Sequence, residues 1–136
     1  MKEIVEKLKQ KEQAMTQAKG PFDLFALFLR EDAPYKWDLV VAAKWIEENK
    51  QEALKYISKA LQESLTQNEL LKLSRIVIID KNNPALEAFQ RAMHVEHGMA
   101  EIKDSNFFGL QIKHVYLITS QRRDANAPNN AINSDS

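Results

Sequence analysis

Two apolar runs lie close together near the start of the chain. Residues 22–30 read FDLFALFLR and residues 37–43 read WDLVVAA, with the polar segment EDAPYK between them. This is the sequence form of a long-looped β-hairpin. In the first run both alternation sets are apolar: Phe22, Leu24, Ala26 and Phe28 on one side, Phe25, Leu27 and Leu29 on the other. The second run repeats the pattern, with Trp37, Leu39 and Val41 opposite Val40 and Ala42. A strand with two apolar faces needs cover above and below. We therefore expect a central pair of strands with the remaining elements packed on it.

Residues 2–18 carry a narrow apolar stripe of Ile4, Leu8 and Met15, with Val5 and Ala18 beside it, and read as a helix. That stripe suits either the hairpin or a second copy of the same helix. Gly20-Pro21 ends it. Residues 44–64 form the longest helical pattern, on Ile46, Ala53, Leu54, Ile57 and Leu61, with Trp45 near its start. Thr66-Gln67-Asn68-Glu69 is a capping box, and Leu65 and Leu70 are placed as its hydrophobic staple. We therefore expect two helices with a break near 64–66.

The β-branched run Ser74-Arg75-Ile76-Val77-Ile78-Ile79-Asp80 reads as another interior strand. Asn83-Pro84 opens a further helix, with Asn83 as N-cap. A second hairpin is expected from residues 99–103 and 110–119, around a loop ending in Phe107-Phe108-Gly109. The order is α-β-β-α-α-β-α-β-β. It defines one α+β domain over residues 1–123, with a mixed or antiparallel sheet of about five strands and helices packed on it. The helical segments between the later strands allow parallel neighbours. Residues 124–136 are almost without apolar bulk and are expected to be a disordered tail.

Composition narrows the functions. There are no cysteines, which excludes disulfides, Cys-ligated zinc and thiol catalysis. Nineteen basic residues balance nineteen acidic ones, whereas a nucleic-acid binder carries a basic excess to displace counterions; no nucleic-acid partner is expected. No run approaches the ~20 apolar residues of a membrane span, and the start of the chain lacks the apolar core of a signal peptide. We expect a cytoplasmic protein with no membrane partner. With only three glycines, a phosphate-cradling glycine loop is excluded.

Two groups of residues are candidate sites. The first is aromatic. Phe107 and Phe108 are adjacent in a loop, and they either anchor a partner or fold back over the sheet end. The second contains all three histidines, His94, His97 and His114. If the terminal hairpin pairs Lys103 with Leu110, then Met99 opposes His114, and His97 and Glu101 are its diagonal neighbours on one face. Two imidazoles and a carboxylate can hold a divalent metal and activate a water, with His94 or Glu96 as further ligands. Glu101-Ile102-Lys103 resembles half of the restriction-nuclease-like metal motif, but no acidic residue stands shortly upstream. Asp38 and Asp80 lie in or at the end of apolar strands; Asp38 is expected at an edge or paired with Arg30 or Lys36 across the hairpin and Asp80 simply to end its strand, the alternative being a buried carboxylate tuned for acid-base work.

The first functional expectation is a non-enzymatic interaction or regulatory module without a cofactor, acting as a homodimer or on another protein. The alternative is a small metal-dependent hydrolase using His97, Glu101 and His114. A small-ligand sensor fits the same pattern as the first.

Overall fold

A computed structural model describes residues 1–122; the expected tail, residues 124–136, lies outside them. The elements are α1 (Lys2–Lys19), β1 (Leu24–Arg30), β2 (Trp37–Ala42), α2 (Lys44–Glu48), α3 (Lys50–Ser64), α4 (Gln67–Leu70), β3 (Leu73–Ile78), α5 (Pro84–Ala92), β4 (Ala100–Phe107) and β5 (Leu110–Ser120). The strands form one sheet in the order β3-β2-β1-β5-β4. Only β2 and β3 run parallel; the other neighbours are antiparallel. The chain folds as the expected α+β domain.

The central hairpin sits where its two-faced composition requires. Phe25 and Leu27 are fully buried and Leu29 nearly so. They face a core shared with Trp37, Leu39 and Val41 of β2, Val5 and Leu8 of α1, and Ile57 and Leu61 of α3. Leu24, Ala26 and Phe28 face a second core with Val40, Val115, Leu117, and Leu86 and Phe89 of α5. Each large side chain so buried stabilises the fold by roughly 1.5–3 kcal/mol. The sheet therefore separates two cores, with four helices over one face and α5 over the other.

Local signals place most helix ends. The Thr66 side chain accepts from the Glu69 N–H while the Glu69 carboxylate accepts from the Thr66 N–H, completing the capping box. Asn83 accepts from the Ala85 N–H at the start of α5, with Pro84 as its first residue. The expected 44–64 helix, however, is interrupted at Asn49. That residue is extended (φ −158°) and caps α3 by accepting from the Glu52 N–H. An asparagine competes for backbone donors more effectively at a helix start than inside a helix.

Two other expectations are corrected. The strand expected in the interior, β3, is at the sheet edge, with β2 as its one strand neighbour among the described residues. Its apolar faces answer to the helices above and below it, which says nothing about strands beside it. The terminal hairpin is tighter than expected. Phe107 pairs with Leu110 and Lys103 with His114, so the loop is only Phe108-Gly109. Both loop residues have positive φ (56° and 74°), the signature of a type I′ turn, whose twist matches the strands it joins.

Candidate functional site

The three histidines do not converge. His97 lies in the connection before β4 and turns toward α1. Its Nδ1 is 2.5 Å from Oε1 of Glu12, a residue with no exposed surface. The other carboxylate oxygen, Oε2, accepts from Thr119 Oγ1 at 2.8 Å and from Thr16 Oγ1 at 3.4 Å. The His97 N–H in turn donates to Thr119 Oγ1. His97 holds a left-handed backbone (φ 47°), uncommon for a side chain of this size. A buried carboxylate is tolerated only when paired and hydrogen-bonded, and this cluster supplies both.

His114 belongs to a different group. Its Nε2 lies 2.6 Å from Glu101 Oε2. The ring packs on Trp37 and Tyr116, at centroid distances of 5.3 and 4.6 Å. Burial raises the Tyr116 pKa above the ordinary tyrosine value, and the Glu101 charge and hydrogen bond raise it further. Glu101 is diagonal to His114 as expected, although the assumed register was wrong. Moving from Leu110 to His114 as the partner of Lys103 is an even shift, and an even shift keeps every side chain on its face.

The expected metal set is thus divided: Glu101 and His114 meet, while His97 is held by Glu12. His94 reaches only Glu96, at 3.5 Å and near the surface. Among the described residues, no group of three or more histidine, aspartate or glutamate side chains is placed to hold a metal ion.

Phe107 and Phe108 fold back rather than project. Both are half-buried and pack on Phe28 and on Phe89 of α5, with centroids 4.8–6.2 Å apart. Asp38 is buried and pairs with Arg30, as expected, at 3.1 Å; it also meets Arg75 at 3.4 Å. Both contacts use Oδ2, and Oδ1 has no hydrogen-bond partner among the described residues. Asp80 is exposed and paired with Lys50.

Apolar surface is also open along β3, which has no second strand neighbour among the described residues. Leu73, Ile76, Val77 and Ile78 are only half-buried there, and the adjacent Leu71 is 67% exposed. On the helical side, Leu54 and Leu61 of α3 and Leu70 of α4 continue this surface into a groove against Leu73 and Ile76.

Reasoning from sequence missed Glu12, Thr119, Trp37 and Tyr116 as members of these clusters. Glu12 carried a signal: it continues the row Ile4, Leu8 at intervals of four, so a charge stands on the apolar stripe. Thr119, Trp37 and Tyr116 carried none, because their neighbours depend on strand order.

Comparisons with protein-family models, with curated proteins and with solved structures gave no match. The fold defines the class: an α+β domain on a five-stranded mixed sheet, in which β3 has no second strand neighbour among the described residues. No helix among the described residues is long and apolar enough to cross a membrane.

Proposed function

We propose that this domain is a non-enzymatic binding module of the cytoplasm that acts by associating with protein, its own second copy first of all. One observation carries the reading. A strand of interior composition, β3, ends the sheet with, among the described residues, only β2 beside it, next to a half-exposed apolar groove. Unpaired strand edges bind other strands through main-chain hydrogen bonds, with side-chain pockets setting specificity. Light scattering across the micromolar range tests the reading. It expects a mass of twice the chain at the upper concentrations; a monomer throughout removes it.

A further inference from the structure

We draw no further inference here: the strongest candidate, the surface patch along β3 with the groove that Leu70, Leu73 and Ile76 form against α3, carries nothing, because nothing in the structure shows what covers it.

Discussion

Glu12, enclosed in the core, and His97, partly exposed and 85 residues away in sequence, form the hydrogen-bonded pair that ties α1 to the segment entering β4. The carboxylate is fully enclosed, and the imidazole and the Thr119 hydroxyl occupy its two oxygens. Removing one partner of a hydrogen bond to a buried group is costlier than removing both, because an unsatisfied buried acceptor remains. His97→Ala is expected to cost about 2 kcal/mol. Glu12→Leu combined with His97→Ala recovers much of that loss. Urea unfolding of the two variants at neutral pH measures the difference; equal stability of both would show that the pair does not act as a unit.

Tyr116 links stability to alkaline pH. Its folded pKa is raised by burial first and by Glu101 second, so the unfolded chain releases the phenolic proton at lower pH than the native one. This contribution is fully present below the ordinary tyrosine value of about 10 and is lost as pH rises through the folded value. The melting temperature is therefore expected to fall more steeply above that point in the native protein than in Tyr116→Phe. Parallel melting curves against pH would remove Tyr116 as the cause.

The Phe108-Gly109 turn separates backbone cost from packing cost. A Cβ at Gly109 would meet nothing within 4 Å, yet the residue holds a φ of +74°. Gly109→Ala is thus expected to destabilise by about 1 kcal/mol, purely through backbone strain. Phe108→Ala instead removes the ring packed on Phe28 and Phe89 and is expected to cost more. Thermal unfolding of the two single variants ranks them.

What the residues announced was mostly local. The period of two at Leu24–Leu29 and Trp37–Ala42 required cover on both faces, and both cores formed there, whereas Phe22, expected on the face of Leu24, lies before the strand and packs with Phe25 in the other core. Thr66 with Glu69, and Asn83 with Pro84, placed two helix starts, since a cap involves only atoms a few residues apart. The break at Asn49 was present in the same kind of signal and was hidden by the continuous apolar stripe on either side of it.

By itself, then, the sequence determined which segments are helix or strand, which faces must be covered, and that no cysteine chemistry operates. Only the tertiary structure decided that β3 lies at an edge, that Phe107 pairs with Leu110, that His97 meets Glu12 while His114 meets Glu101, and that Phe107 and Phe108 turn inward. The physical reason is one of range. Caps and alternation are set by neighbours along the chain, whereas side-by-side strand order and register are set by which distant segments share a ladder, and an apolar side chain above or below the sheet carries no mark of what lies beside it.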